Sequence, residues 1–268
     1  MHDVQPELRA MFRTLHLSGM ADNFVELAVK AASAHLTYET YLAEVVQCEC
    51  VVREQRRIAR LLRQSGLPAD KTFHTLQLDR FPLNVQQQVE HLRSGAFTAD
   101  AINVVAAGKP GVGKSHLLAA LGHELILQGK AVLWTSTATL VQQLLAAKRD
   151  LRLPQALAKL DRVACLILDD IGYVQHERDE MEVLFTLLAE RYERRSVAIS
   201  TNLVFSEWER IFKDPMTTLA AIDRVVHHSV ILDLMGMESY RAQQATAQLE
   251  SSVSRRQPTT TARRKAAA

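Results

Sequence analysis

The chain has 268 residues, of which 47% are hydrophobic, and its formal net charge at pH 7 is +2. This is enough for a sizeable core, in one large domain or in a medium-sized domain beside a small one. The small net charge does not indicate nucleic-acid binding, so such a role would have to come from local charge. We find no run of about 18 apolar residues and no basic and apolar leader at the N-terminus. These absences predict a soluble cytoplasmic protein with no membrane contact.

The first part of the chain is predicted to be helical. Apolar residues recur at helical spacing between residues 7 and 66, with an interruption at Ser18-Gly19. A longer helix is expected to begin near Thr37 and to end at Gly66, which is followed by a proline. The predicted organisation is a small all-helical domain at 1–68, which would bind DNA or a partner, and a connector at 69–101 with a short helix at 85–92.

From residue 102 onwards, short apolar runs alternate with helical patterns, which predicts an α/β domain with a parallel sheet between helices. The predicted strands are 102–107, 130–135, 163–169, 196–201 and 230–234. The predicted helices are 114–128, 137–148, 154–160 and 179–194. This domain is expected to span 102–245. The remainder, 246–268, is rich in Ser, Thr, Arg and Ala, and we predict a disordered basic tail.

The stretch GKPGVGKS at 108–115 separates the first of these strands from its helix and matches the phosphate-loop pattern G-x-x-x-x-G-K-S. Its glycines let backbone N–H groups approach phosphate oxygens, and the helix N-terminus favours an anion. Lys114 is expected to reach the β- and γ-phosphates, and Ser115 to offer its hydroxyl to Mg²⁺. The predicted cofactors are ATP and Mg²⁺. The predicted nucleotide-binding residues here are Gly108, Lys109, Pro110, Gly111, Val112, Gly113, Lys114, Ser115 and His116.

Two later strands are expected to bring polar groups to the same edge of the sheet. Asp169 and Asp170 end an apolar strand, and Asn202 follows the next one. We expect Asp169 to bind Mg²⁺, through water, and Asp170 to orient or polarise the attacking water. Asn202 would hydrogen-bond the water or the γ-phosphate. The alternatives are a helix cap or solvated turn for the acid pair, and an ordinary turn residue for Asn202.

The arginines and histidines near the C-terminus are ambiguous on spacing alone. Arg224 and Arg241 cannot be distinguished from arginines such as Arg191, Arg194 and Arg195, for which a surface charge is the default. The pair His227-His228 has no third metal ligand at a recognised spacing, so we predict a structural or surface role for it. The three cysteines, Cys48, Cys50 and Cys165, form no metal or disulfide framework, and Cys165 is expected in the core.

Taken in order, these motifs resemble the IstB family, the transposition helper ATPases of bacterial insertion sequences. These are AAA+ ATPases close to the DnaC-type helicase loaders. The resemblance covers nearly all of residues 5–242. Its matching stretches are LHLSGMA (15–21), GKPGVGKSH (108–116), LILDDIGY (166–173), RYERRS (191–196), STN (200–202), SEW (206–208), DRVVHH (223–228) and SYR (239–241).

The resemblance implies an AAA+ P-loop NTPase domain preceded by the helical domain. It gives Arg224 the role of an arginine finger that completes a neighbouring subunit's site. Arg241 becomes the arginine that senses the nucleotide, and Asn202 the polar sensor. Many AAA+ proteins carry Glu where this chain has the shorter Asp170, so its reach is reduced and slow hydrolysis is expected. The family's role implies a homo-oligomer on DNA that recruits or stimulates its transposase, with DNA-stimulated ATP hydrolysis.

Five arginines offer a surface for DNA. They fall within about 120° on a helical wheel of 3.6 residues per turn. Such a stripe binds phosphates with salt-sensitive, sequence-independent affinity, although a solvated helix face is the alternative. The predicted DNA-binding residues are Arg53, Arg56, Arg57, Arg60 and Arg63.

Three other functions remain open at this stage. A replicative helicase loader would share the chemistry and differ in its protein partner. A small-molecule kinase would need a substrate pocket or lid arginines, and no distinctive ones are present. An ATP-binding scaffold without hydrolysis is the third possibility.

Overall fold

The computed structural model of the chain describes residues 4–172, 178–208 and 215–240. Its strands are β1 (Asn103–Gly108), β2 (Val132–Ser136), β3 (Cys165–Asp169), β4 (Ser196–Thr201) and β5 (Ser229–Leu234). They form one parallel sheet in the order β2-β3-β4-β1-β5. All five predicted strands are confirmed, with boundaries that differ by no more than two residues.

Nine α-helices lie within the described residues. They are α1 (Gln5–Thr14), α2 (Ser18–Ser33), α3 (Tyr38–Ser65), α4 (Leu83–Arg93), α5 (Lys114–Leu127), α6 (Thr137–Arg149), α7 (Leu153–Leu160), α8 (Arg178–Arg191) and α9 (Pro215–Val226). The predicted ends of α3 are confirmed, because Thr37 caps it through the Thr40 N–H and Gly66 adopts the left-handed conformation. Among the described helices, none is both long and apolar enough to cross a membrane.

Helix α9 was absent from the sequence prediction. Apolar residues occur on both faces of this helix, so the sequence shows no clear amphipathic period. Met216 and Leu219 are exposed, whereas Ala221 and Val225 are buried in the core. The predicted helix 179–194 also ends early, at Arg191, because the chain then turns and Glu193 takes a positive φ of 55°. The predicted basic tail, 246–268, lies outside the described residues.

The sheet separates two apolar layers, which makes a three-layer domain. Side chains alternate along each buried strand, so Val105 packs with α6, α8 and α9 whereas Val104 and Ala106 pack with α4 and α5. Strands β1 and β4 are buried along their whole length. Burial on both faces is what a parallel sheet with helices on each side requires.

Helix α3 belongs to both parts of the molecule. Its first half packs against α2, whereas Ile58, Leu61 and Leu62 pack against the core beside α5. Near the middle, Arg57 Nη2 donates to the carbonyl of Gly129 at 2.7 Å. The connector is fastened as well, since Nε2 of His116 lies 3.1 Å from Thr75 Oγ1. The domain boundaries at 1–68, 69–101 and 102–245 remain a prediction.

A buried carboxylate joins α2 to α3. Glu49 is only 5% exposed, and its Oε2 accepts the N–H of Gly19 at 2.7 Å, at the start of α2. Its Oε1 accepts from Arg53 Nε at 2.8 Å. A Cβ on Gly19 would lie 2.7 Å from the carbonyl oxygen of Cys48, so the helices can approach this closely only at glycine. Burial alone would raise the pKa of Glu49, but the hydrogen bonds from Arg53 and from the backbone of Gly19 and Met20 outweigh it and lower the pKa.

We predict that Glu49→Gln lowers the free energy of unfolding by roughly 1–3 kcal/mol at pH 7, because the hydrogen bonds that the buried carboxylate accepts from Gly19 and Arg53 lose their charge. A lowered folded-state pKa stabilises the fold above the unfolded-state pKa, and this contribution is lost as the pH falls through the folded-state value. The difference between the proteins should therefore shrink in acid. Urea unfolding at several pH values measures it. Glu44→Gln, which breaks only a surface pair with Lys30, is the control, and an equal effect of the two changes would contradict the prediction.

Candidate functional site

The phosphate loop lies at the carboxyl edge of the sheet, between the end of β1 at Gly108 and the start of α5 at Lys114. Gly113 has a φ of 108°, which a residue with a Cβ rarely adopts. At Gly108, a Cβ would lie 2.8 Å from the Cβ of Leu234 in β5. The N-terminus of α5 therefore opens directly onto the loop, with its backbone N–H groups available to an anion.

Lys114 is folded into this loop. The residue is 5% exposed, and its Nζ donates to the carbonyls of Gly108 at 2.7 Å and Lys109 at 2.9 Å. Its ammonium group is thereby held at the centre of the loop. A positive charge at this point is suited to the β- and γ-phosphates of a nucleotide.

The carboxylate of Asp169 accepts hydrogen bonds from two hydroxyl groups that lie on different elements. Its Oδ1 accepts from Ser115 Oγ at 2.7 Å and from Ser200 Oγ at 2.5 Å. The backbone carbonyl of Asp169 accepts from Thr137 Oγ1 at 3.0 Å. The predicted pair of Ser115 and Asp169 thus meets at the loop, and their hard oxygen atoms are the donors that Mg²⁺ prefers. These residues fit the metal.

Ser200 was quoted in the sequence motif but was given no role. It is fully buried in β4, and besides donating to Asp169 it accepts hydrogen bonds from Asp170 and Ile171. Its Oγ accepts the N–H of Asp170 at 2.8 Å, and its carbonyl accepts the N–H of Ile171 at 3.0 Å. Asp170 itself is exposed, with a positive φ of 58°, a conformation that Asp tolerates better than most residues. Ser200 therefore fixes both the carboxylate and the turn that presents Asp170.

Asn202 lies beside that turn. A Cβ on Gly172 would lie 2.3 Å from the Oδ1 of Asn202, so the close approach requires glycine. This Oδ1 is buried and has no hydrogen-bond partner among the described residues. Buried polar atoms are nearly always paired, so an acceptor left open here suits a bound water or ligand donor. The strand ends thus bring Asn202 to the same edge as Asp169.

Three arginines that the sequence could not distinguish differ in the structure. Arg191 is 2% exposed, donates to the carbonyls of Leu160 and Ser196, and has its pKa lowered to about 10 by burial. Arg194 is a surface residue that pairs with Asp161 at 3.0 Å. Arg224 is half-buried in the last turn of α9.

A small pocket adjoins the phosphate loop on the connector side. Thr75, Leu76 and Phe81 line it together with Val112 of the loop. Across it, the guanidinium carbon of Arg80 lies 4.5 Å from the ring centroid of Tyr240. The N–H of Tyr240 donates to the carbonyl of Gly111 at 3.0 Å, which ties this segment to the loop. The predicted Arg241 comes next but lies outside the described residues.

Sequence comparison agrees with this geometry. The family model described as "IstB-like ATP binding protein" matches residues 10–248. The chain belongs to the IstB family. It is 41% identical over 242 residues to an insertion sequence ATP-binding protein of Sinorhizobium fredii, covering 90% of this chain and 81% of the relative. It is 35% identical over 235 residues to the insertion sequence IS21 ATP-binding protein of Pseudomonas aeruginosa, covering 88% of each.

Solved structures support the fold independently. Replication initiator DnaA, bound to AMPPCP and single-stranded DNA, matches with a TM-score of 0.54 and 15% identity, covering 70% of this chain and 56% of that chain. At this identity the likeness shows the fold alone, which is the AAA+ P-loop fold that the resemblance implied. An ATP-binding role for this IstB-family chain follows from its family and its loop.

Of the five arginines in the predicted DNA stripe of this IstB-family protein, three bind other residues that the structure describes and two do not. Arg53 binds Glu49, Arg56 Nη2 donates to Ser18 Oγ at 2.7 Å, and Arg57 is bound to Gly129. Arg60 and Arg63 are exposed and have no hydrogen bond or ion pair with any described residue. DNA binding by the stripe remains a prediction, and these last two arginines are the ones whose guanidinium groups are not already held by a described residue.

We predict that Ser200→Ala raises the Mg²⁺ concentration needed for half-maximal ATP binding by about 10–100-fold, the usual cost of removing a group that orients a metal ligand. Fluorescent-nucleotide titration at a series of Mg²⁺ concentrations measures this. Ser196→Ala is a matched control, because Ser196 is also fully buried in β4 but bonds the carbonyl of Phe97 at the opposite end. A Mg²⁺ requirement that is unchanged in a folded Ser200→Ala protein would contradict the prediction.

Proposed function

We propose that the protein is an ATP-hydrolysing, DNA-binding helper of insertion-sequence transposition. It assembles on DNA with ATP and recruits or stimulates its transposase, and hydrolysis regulates the assembly. The observation that carries the hydrolytic part is the convergence of Ser115, Asp169 and Ser200 beside Lys114. The relatives named as insertion sequence ATP-binding proteins support the transposition part over a helicase loader or a small-molecule kinase.

In the proposed reaction, water attacks the γ-phosphorus and the bond to the β–γ bridging oxygen breaks. Lys114 offsets charge on the β- and γ-oxygens, and Asp170 and Asn202 orient the water. Ser115, and Asp169 through water, would hold Mg²⁺, which would add positive charge at the phosphate oxygens. Asp170 reaches one methylene less far than a glutamate would, so we expect slow turnover.

Arg224 is proposed to act on the neighbouring subunit's ATP. Its guanidinium carbon lies 4.9 Å from the ring centroid of Phe185, and its Nη1 donates to the carbonyl of Ala220 at 2.9 Å. Stacking and a backbone bond restrict the side chain while leaving it half-buried. A planar guanidinium held in this way loses little entropy when it binds a phosphate.

Arg224→Ala is expected to bind ATP but to lose DNA-stimulated hydrolysis, because a trans-acting arginine is worth about 10³-fold or more in rate. Phosphate release with and without duplex DNA measures this. Mixing Arg224→Ala with Lys114→Ala protein should restore part of the activity, since an intact loop then faces an intact finger.

Two controls accompany the mixing experiment. Arg194→Ala, which removes a surface arginine that pairs with Asp161, should keep wild-type turnover. Co-assembly of the two variants is checked by cross-linking. Full turnover by Arg224→Ala alone would exclude the role, and co-assembled variants with no recovery would exclude action in trans.

DNA binding is proposed to depend on Arg60 and Arg63 more than on the rest of the stripe. The double change of these two residues to Ala should weaken binding to duplexes of any sequence and reduce the slope of log K against log salt by about 1–2. Fluorescence anisotropy at several salt concentrations measures both quantities.

The control removes the same charge elsewhere. Arg152 and Lys159 are exposed on and beside α7, on the other side of the sheet from α3. Changing both to Ala should leave the slope as in wild type. Equal slopes for all three proteins would show that α3 is not the DNA surface.

A further inference from the structure

Three metal-ligating side chains meet at the edge of the sheet opposite the phosphate loop. Glu193 lies in the turn between α8 and β4, and His227 and His228 form the turn between α9 and β5. One ligand atom from each lies within 4.8 Å of one from each of the others. In the sequence, no third ligand stands at a recognised spacing from the two histidines. The fold supplies Glu193 from a different helix–strand turn.

The geometry within the cluster is close. Nε2 of His228 lies 3.3 Å from Oε1 of Glu193, and the two imidazole ring centroids are 4.4 Å apart in an edge-on arrangement. Their side chains are exposed, 47% for His228 and 58% for Glu193. An incoming ion therefore has direct access, and small rotations of exposed side chains suffice to gather the three groups.

The backbone beneath the cluster is fixed. The N–H of Asn103 donates to the carbonyl of His228 at 2.7 Å, and Asn103 Nδ2 donates to the carbonyl of Val225 at 3.2 Å. The hydroxyl of Tyr192 lies 3.2 Å from Nδ1 of His227. A hydrogen bond to one ring nitrogen orients the ring and leaves the other nitrogen for a metal, which is the usual arrangement around histidine ligands.

We propose that Glu193, His227 and His228 bind a divalent transition-metal ion of the Zn²⁺ class. Two imidazoles and one carboxylate are a donor set typical of Zn²⁺ rather than of Mg²⁺ or Ca²⁺, which take oxygen ligands. The exposed position leaves a fourth site for water or for a group from another molecule. The bound ion would fasten the turn after α9 to the turn after α8, a short distance from Arg224.

The test uses the full chain without an affinity tag, freed of metal with a chelator and then titrated with Zn²⁺ against a chromophoric competitor. We expect about one Zn²⁺ per chain. His228→Gln and Glu193→Gln should each weaken binding at least tenfold, and Co²⁺ should give the intense visible bands of four-coordinate histidine sites in wild type only.

Two controls separate this site from other ligands. Cys48→Ser combined with Cys50→Ser removes the accessible thiols, and His35→Gln removes another exposed histidine. Both should bind Zn²⁺ like wild type. Circular dichroism confirms that each variant is folded, and Zn²⁺ should raise the melting temperature of wild type but not of His228→Gln. Absence of Zn²⁺ binding, or binding that survives in His228→Gln and Glu193→Gln, would overturn the proposal.

Discussion

The hydrogen bonds to the carboxylate of Asp169 are the interaction on which the nucleotide edge depends. They join the first turn of α5, the end of β3 and the carboxyl-terminal end of β4 at one oxygen atom. A partly buried carboxylate is costly unless it is hydrogen-bonded, so Ser115 and Ser200 are needed before any ligand is considered. The same hydroxyl of Ser200 accepts the N–H of Asp170. The site is therefore built by the sheet register that places Ser200 beside Asp169.

At the opposite edge, Asn103 has a comparable role. Its Oδ1 accepts the N–H of Val197 in β4 at 2.9 Å, while its amide group holds the carbonyl of Val225 at the end of α9. It is buried with both ends of its side chain paired, and a satisfied polar group in a core specifies one arrangement of its neighbours. Asn103 thus helps to fix the register of β1 against β4 at this edge. Asn103 also holds the turn that carries His227 and His228, because its backbone N–H donates to the carbonyl of His228.

Features that local pattern determines were predictable from the sequence. The phosphate loop, the strands and the acid pair each follow from residues close together in the chain. The role of Ser200 was not predictable, because a serine near a strand end has many uses and only its burial beside Asp169 distinguishes it. The pocket between Arg80 and Tyr240 and the meeting of Glu193 with the histidines join distant segments. A helical wheel placed five arginines on one face of α3 but could not show that Glu49, Ser18 and Gly129 engage three of them.

Helix α3 gives the arginine face and the phosphate loop a common mechanical support. Its second half packs on α5, the helix that begins at Lys114, and Arg57 binds the carbonyl of Gly129 just beyond the end of α5. At the other end of α5, His116 holds the connector through Thr75. One end of α5 is thus attached to α3, which carries Arg60 and Arg63, and the other end to the connector that follows α3. Because packed interfaces resist gradual deformation, a nucleotide that shifts the N-terminus of α5 must either move α3 with it or break these contacts.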